Sequence, residues 1–188
     1  MAKNPSSPLS PLPDNIELVT EYDAIVIRRS WKSALAYFLI VFALFWNTFM
    51  VVWMGIAISQ GAWSMAAFGS IHAGVGLGII YFTIALFLNK TDIRIDTYNL
   101  SVKHYPLPWF GQVTFPVESI QQVYCKEKIT RGKNGTHVSY ELHCLDRNNR
   151  SKKLLSGLNQ SEQAQFIERE IEKTLGLKDR PVSGEYRK

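Results

Sequence analysis

Residues 33–89 read SALAYFLIVFALFWNTFMVVWMGIAISQGAWSMAAFGSIHAGVGLGIIYFTIALFLN and hold no Asp, Glu, Lys or Arg. The run is broken only by Ser59-Gln60-Gly61. A hydrocarbon layer ~30 Å thick takes about 20 apolar residues at ~1.5 Å each, and this stretch supplies that length twice. It predicts two membrane-spanning helices, Ser33 to about Ile58 and Ala62 to about Leu88. The bare backbone of the connecting turn must lie outside the hydrocarbon, where water can satisfy its amides. A signal peptide would need a shorter apolar region nearer the N-terminus and a small-residue cleavage site.

Arg28, Arg29 and Lys32 precede the first span, Lys90, Arg94 and Lys103 follow the second, and the turn from Ser59 to Ser64 has no charge. The positive-inside rule places both flanks, and hence both termini, in the cytoplasm of a multi-pass protein. Trp31 and Tyr37 stand where an inner aromatic belt falls, and Trp63 where an outer one does. With 57 of 188 residues assigned to the membrane, about 105 remain for one small water-soluble domain. The net charge of +5 finds an outlet in an anionic cytoplasmic leaflet, so nucleic acid is not expected as a partner. Cys125 and Cys144 fall on the reducing side and form no CxxC pair.

The chain divides into a disordered tail (1–14, with Pro5, Pro8, Pro11 and Pro13 among serines), an N-terminal β-hairpin (15–30), the two-helix hairpin (31–89), the remainder of the domain (90–176) and a flexible tail (177–188). Within the first hairpin, Ile16–Val19 and Ala24–Arg29 flank the turn Thr20-Glu21-Tyr22-Asp23. Beyond the spans, Asp92–Asp96 and Leu100–His104 alternate at period two about Thr97-Tyr98-Asn99. The prolines of Pro106-Leu107-Pro108-Trp109-Phe110-Gly111 forbid a central strand there and give a stiff aromatic loop. Strands follow at Gln112–Phe115 and Ile120–Ile129.

An Asn134-Gly135 turn would set Lys133 against Thr136, and hence Cys125 against Cys144, Lys126 against His143, Lys128 against Glu141 and Ile129 against Tyr140. Val123, Cys125, Ile129, Tyr140, Leu142 and Cys144 then share an apolar face. Lys126, Lys128, Glu141 and His143 share the other, although Glu127 falls on the apolar face and Tyr124 and Leu145 on the polar one. After the polar turn Asp146–Ser151 comes a last strand at Lys152–Leu155. A helix then begins at Asn159 with Glu162 as a capping pair. Ala164, Ile167, Ile171 and Leu175 form its apolar stripe, Gly176 is its C′ residue, and Glu168, Arg169, Glu170, Glu172 and Lys173 form its solvated face.

About seven strands and then an amphipathic helix resemble the pleckstrin-homology-like (PH-like) fold, a bent antiparallel sheet closed by a C-terminal helix. Asn89-Lys90-Thr91-Asp92-Ile93-Arg94-Ile95, then Leu100-Ser101-Val102, then Ile120, is similar to the passage after the second span in bacterial membrane-anchored PH-like proteins of unknown function. The resemblance implies an α+β domain into which the two spans are inserted, in a bacterial inner or thylakoid-type membrane. In layout alone the chain is similar to two-span photosystem I assembly factors, which implies no site residues.

Eight cations, Lys126, Lys128, Arg131, Lys133, Arg147, Arg150, Lys152 and Lys153, face only Glu127, Glu141 and Asp146 in that region. With Trp109 and Phe110 they are the candidate lipid or partner contacts; each cation near an anionic leaflet is worth ~1 kcal/mol. In inositol-lipid-binding PH domains the basic signature lies in the first inter-strand loop, which here is the acidic Thr20–Asp23. Within the spans, Asn47 and His72 are read as interhelical hydrogen-bonding groups. Ala66, Ser70, Gly74 and Gly78 repeat every fourth residue and are read as the stripe against which the first span packs, the other reading being a homodimer seam. His104, His137 and His143 have no metal spacing, no Gly-rich phosphate loop opens a helix, and no nucleophile has an evident base nearby. The expectation is a non-enzymatic membrane protein without cofactor, whose domain serves as a protein-interaction or assembly platform for a membrane-protein partner. The alternatives are an anionic-lipid sensor and a homo-oligomeric structural protein.

Overall fold

A computed structural model of the chain describes residues 12–133, 135–178 and 180–186. The tail assigned to residues 1–14 therefore lies outside the described residues except for its last three. The described residues form two compact units: those of 12–30, Lys90–His104 and 108–186 make one, and Trp31–Asn89 with Tyr105–Leu107 make the other.

The second unit is an antiparallel pair of helices, α1 (Ala34–Ser59) and α2 (Trp63–Leu88). Each has 26 residues, ~39 Å at the helical rise, and both are long and apolar enough to cross a membrane. Gly61, with φ +66, makes the left-handed corner between them. The buried positions of α1 are Ala36, Ala43, Met50 and Ala57, and those of α2 include Ala66, Gly69, Gly76 and Thr83. A seven-residue spacing on both helices is the signature of knobs-into-holes packing along a 3.5-residue repeat. At the C-terminal end of α2, Asn89 is buried, and its carboxamide donates to the Leu107 carbonyl (3.1 Å) and accepts the Leu107 N–H (2.9 Å).

The first unit contains two antiparallel sheets and a helix. β1 (Ile16–Thr20), β2 (Ala24–Ser30), β3 (Lys90–Asp96), β4 (Asn99–Tyr105) and β5 (Val113–Pro116) follow one another across a five-stranded sheet. β2 and β3 are paired over their whole lengths, from Ala24 against Asp96 to Ser30 against Lys90, so the helices are spliced between two adjacent central strands. Arg28 holds Asp92 through two 2.9 Å bonds across that pair. At the other end of the sheet, Arg94 binds Glu21 and Asp23, and the Asp96 carboxylate accepts the N–H groups of Tyr98 and Asn99, which hold its pKa below the ordinary value.

A short 3-10 turn leads to β6 (Ile120–Gly132), β7 (Gly135–Asp146) and β8 (Ser151–Leu158), a three-stranded sheet in that order. α3 (Ser161–Leu175) follows. Ile27, Ile93, Leu100, Val102, Leu142, Leu154, Leu158, Ile167 and Ile171 fill the core between the sheets and α3. Among the described residues there are thus eight strands in two sheets rather than about seven in one.

Several expectations are corrected. Gly132 faces Gly135 and Arg131 faces Thr136, where Lys133 was expected opposite Thr136; Asn134 of the expected turn lies outside the described residues, and Gly135 opens the return strand at φ +131, which glycine alone adopts readily. The register moves by two, which leaves every side chain on its expected face but changes its opposite: Cys125 faces Leu142, and Cys144 faces Val123. Ile129, assigned to the core face, is 53% exposed because the hairpin runs on past the end of the core. α3 starts at Ser161, and Gln160, without a side-chain capping bond, takes the place expected of Asn159. Glu168 and Glu172 are buried instead of solvated. Residues 177–188, set apart as a flexible tail, include Leu177 and Tyr186 packed against the core; the Tyr186 N–H donates to the Cys125 carbonyl at 2.8 Å.

Burial, with the charges of Glu168, Glu185 and Glu127 adding to it, pushes the Cys125 thiol up to about 12. Burial and then Asp146 push Cys144 to about 11. Residues at diagonal positions of neighbouring strands stand roughly 7–8 Å apart, beyond the usual Cα separation of a disulfide, which would need backbone movement. Mass-spectrometric counting of alkylated thiols at neutral pH should find both cysteines unmodified in the folded protein and both modified in denaturant, and mild oxidant should not join them in the native state. Fast labelling of either thiol in the folded protein would contradict this packing.

Candidate functional site

Period-two alternation and the observed register bring Tyr124, Lys126 and Lys128 of β6, Glu141 and His143 of β7, and Ser151 and Lys153 of β8 to one face of the three-stranded sheet. There they form a continuous polar chain. The Tyr124 hydroxyl and the Ser151 Oγ are 2.7 Å apart, Ser151 Oγ lies 3.1 Å from His143 Nδ1, and His143 Nε2 lies 3.2 Å from Glu141 Oε2. The other Glu141 oxygen takes a 3.1 Å bond from Lys128 Nζ, with Lys153 Nζ at 3.9 Å. Burial opposes ionisation of Glu141, but the bonds from Lys128 and His143 and the charges of Lys153 and Lys128 outweigh it, and the carboxyl lies below its ordinary value. A carboxylate on Nε2 favours the tautomer with its proton there, leaving Nδ1 to accept from a hydroxyl.

Ser151 therefore has a base within reach, contrary to the sequence reading. The signal was invisible because His143 and Ser151 meet only across the turn that Asp146 closes by accepting the Asn148 and Arg150 N–H groups. Geometrically the line can relay a proton. It also satisfies the polar ends of Tyr124 and Glu141, both buried on what was expected to be an open face.

The eight cations do not form one patch. Lys126, Lys128 and Lys153 share the face just described, whereas Lys152 faces Cys144 on the opposite side with its Nζ 5.9 Å from the Phe115 ring centre. Arg131 and Lys133 lie at the hairpin tip, at one end of β7, and Arg147 and Arg150 lie in the turn at its other end. β7 has twelve residues, so those ends are ~35–40 Å apart. In the aromatic loop Phe110 is 90% exposed and Trp109 half-buried, their rings meeting edge-on at 6.5 Å.

A second polar cluster lies at one end of the five-stranded sheet. Arg29 Nη2 donates to the Gly157 carbonyl (3.1 Å), and Thr91 Oγ1 meets His104 Nδ1 (2.9 Å). Burial lowers the pKa of Arg29. Burial and then the Arg29 charge lower that of His104. Among the described residues no group of three or more His, Cys, Asp or Glu is disposed to hold a metal.

In the helical unit Asn47 behaves as expected, its Nδ2 donating to the Ala43 carbonyl (2.8 Å) and across to the Gly76 carbonyl (3.4 Å). His72 does not. Its Nδ1 lies 3.2 Å from the carbonyl of Phe68 on its own helix, and the interhelical bond runs instead from Trp46 Nε1 to the His72 backbone carbonyl at 3.2 Å. Of the small-residue stripe only Ala66 faces α1; Ser70, Gly74 and Gly78 are exposed, and a Cβ on Gly74 or Gly78 would meet nothing within 4 Å. The seam sequence reasoning missed is Gly69, Gly76 and Thr83, legible as a heptad once the partner face is known. Beside it a groove of about 530 Å³ runs past Ala43, Asn47, Thr48, Ile80 and Thr83.

No protein-family model, no curated protein and no solved structure matches this chain.

Proposed function

We propose that the chain is an integral membrane protein, two spans inserted into a cytoplasmic PH-like domain that serves as an interaction platform for a membrane-protein partner. The membrane part is supported by the outer faces of the two helices, where Phe38, Val41, Leu44, Phe45, Phe68 and Ile71 are exposed. In water that would be an apolar patch far beyond what a soluble monomer shows; in lipid it is the required surface. Arg28 and Arg94 are paired with acids in the folded domain, but the positive-inside rule counts cations during insertion and gives Asp and Glu little weight. Cytoplasmic termini therefore remain the expected topology.

The platform reading rests on one observation, the spread of the eight cations over two faces and two ends of the three-stranded sheet. A flat anionic leaflet could engage only a fraction of them at once, and Glu141 already offsets Lys128 and Lys153. The outward Ser70, Gly74 and Gly78 favour a homo-oligomer as the second reading, because small residues let backbones approach closely.

A photo-crosslinking residue at Phe110 or Lys133, irradiated in native membranes, should yield discrete protein adducts. Adducts with lipid alone would replace the platform by the lipid-sensor reading. In the same membranes a membrane-impermeant thiol reagent outside the cell should label Gln60→Cys and spare Lys178→Cys; the reverse pattern would overturn the topology.

A further inference from the structure

The distal half of the β6–β7 hairpin stands apart from every layer of the domain. β8 pairs with β7 only from Tyr140 (opposite Leu158) to Leu145 (opposite Ser151), so among the described residues nothing flanks Gly135–Ser139. β6 is the edge of its sheet. Residues 126–133 and 135–139 are therefore a two-stranded ribbon whose two edges are open among the described residues, exposed or half-exposed along both faces, and Ile129 (53% exposed) faces Val138 (37%) across it. A ribbon of that kind is marginal in water, and an open edge is a template for another strand.

The inner part of the same edge already accepts one main-chain bond. The C-terminal segment lies along it, with the Tyr186 N–H donating to the Cys125 carbonyl at 2.8 Å and the Gln122 side chain bonded to the Arg180 carbonyl. Since the Cys125 carbonyl points outward, the alternation of a β-strand fixes the rest. Glu127, Ile129 and Arg131 present their N–H and C=O groups to the open edge, while Lys126, Lys128 and Thr130 spend theirs on β7. The charges left along this edge are Lys126, Arg131 and Lys133 against Glu127, Lys128 being held by Glu141.

We propose that the outer edge of β6 from Lys126 to Arg131 is a docking strand for an extended acidic segment of a partner protein, held by main-chain bonds to Glu127, Ile129 and Arg131 and by the cations around them. This deepens the platform reading and rests on it. A second copy of the chain is a poor occupant, because its corresponding edge has the same positive charge and like charges on facing strands repel. An acidic strand gains from the same residues.

The test uses the full chain in neutral detergent and four probes: a synthetic peptide alternating Glu with Val, its Lys-for-Glu counterpart, the Glu peptide with alternate backbone amides N-methylated, and phosphatidylserine-containing vesicles. Amide-resolved hydrogen exchange should slow at Glu127, Ile129 and Arg131 by ~tenfold or more with the Glu peptide only, Lys126, Lys128 and Thr130 being protected beforehand. Lys126→Glu combined with Arg131→Glu, neither of which has an ion pair among the described residues, should weaken the Glu peptide by ~tenfold or more. Absence of binding overturns the proposal, as does equal binding by the N-methylated peptide, which signifies charge contact alone. Protection by the vesicles in place of the peptide signifies a lipid surface and overturns it too. Crosslinks to protein at Phe110 without edge protection would refute the docking strand and leave the platform reading; edge protection without any protein crosslink would do the opposite.

Discussion

Residues 90–188 expressed without the first thirty residues should fail to fold, and a chain joining residues 12–30 directly to 90–188 through a short Gly/Ser turn should fold and stay soluble. The expectation rests on where β1 and β2 lie. β2 is the second of five strands and pairs with β3 over seven residues each. Removing β1 and β2 exposes the full β3 edge and deletes Ile16, Val26 and Ile27, all buried. Burying an aliphatic side chain of that size contributes ~1.5–3 kcal/mol, so the three together amount to roughly 5–9 kcal/mol, comparable with the whole stability of a small domain. The re-joined chain restores them without the helices, because Ser30 and Lys90 face each other, about 5 Å apart as in any antiparallel pair, a gap that a turn closes. Circular dichroism and denaturant titration read the result. A cooperative transition in 90–188 alone, with a midpoint equal to that of the joined chain, would show that the N-terminal strands are not integral to the sheet.

The second large effect is in the helical pair. A Cβ on Gly76 would fall 2.6 Å from Asn47 Oδ1 and 2.9 Å from Trp46 Cδ1, so Gly76→Leu cannot be accommodated unless α1 and α2 move apart. Overpacking of this kind costs ~1–3 kcal/mol and at times more, and the Asn47 bond to the Gly76 carbonyl would be lost with it. Gly69→Leu should be milder, since its nearest obstacle at 2.7 Å is Met54 Sδ, on an adaptable side chain. Gly74→Leu and Gly78→Leu point into open space and should leave the pairing intact. Thermal unfolding in mild detergent, followed by fluorescence of Trp46 and Trp53, should rank the variants Gly76, then Gly69, then Gly74 with Gly78. Equal loss at Gly74 and Gly76 would mean that the outward stripe, and not the heptad seam, joins helix to helix.

Features that depend on a local pattern alone were legible in the residues. A run of 57 uncharged residues with one polar break has no alternative to two long apolar helices, whatever surrounds it. Alternation at period two showed which residues of β6 and β7 share a face, and Val123, Cys125, Leu142 and Cys144 are buried together as that pattern requires. The same alternation is blind to a slip of two residues, which preserves every face, so the choice between Cys144 and Leu142 as the opposite of Cys125 fell to the turn at Lys133 and to the way the strands pack. Helix rotation is open for a comparable reason. Two small-residue stripes were present in α2, one at spacing four and one at spacing seven, and only the partner's heptad of Ala36, Ala43, Met50 and Ala57 selected the second. The chain Tyr124, Ser151, His143, Glu141 and Lys128 was likewise settled by tertiary structure, because its members come from three strands and meet only when strand pairing places their side chains on one face within hydrogen-bonding distance.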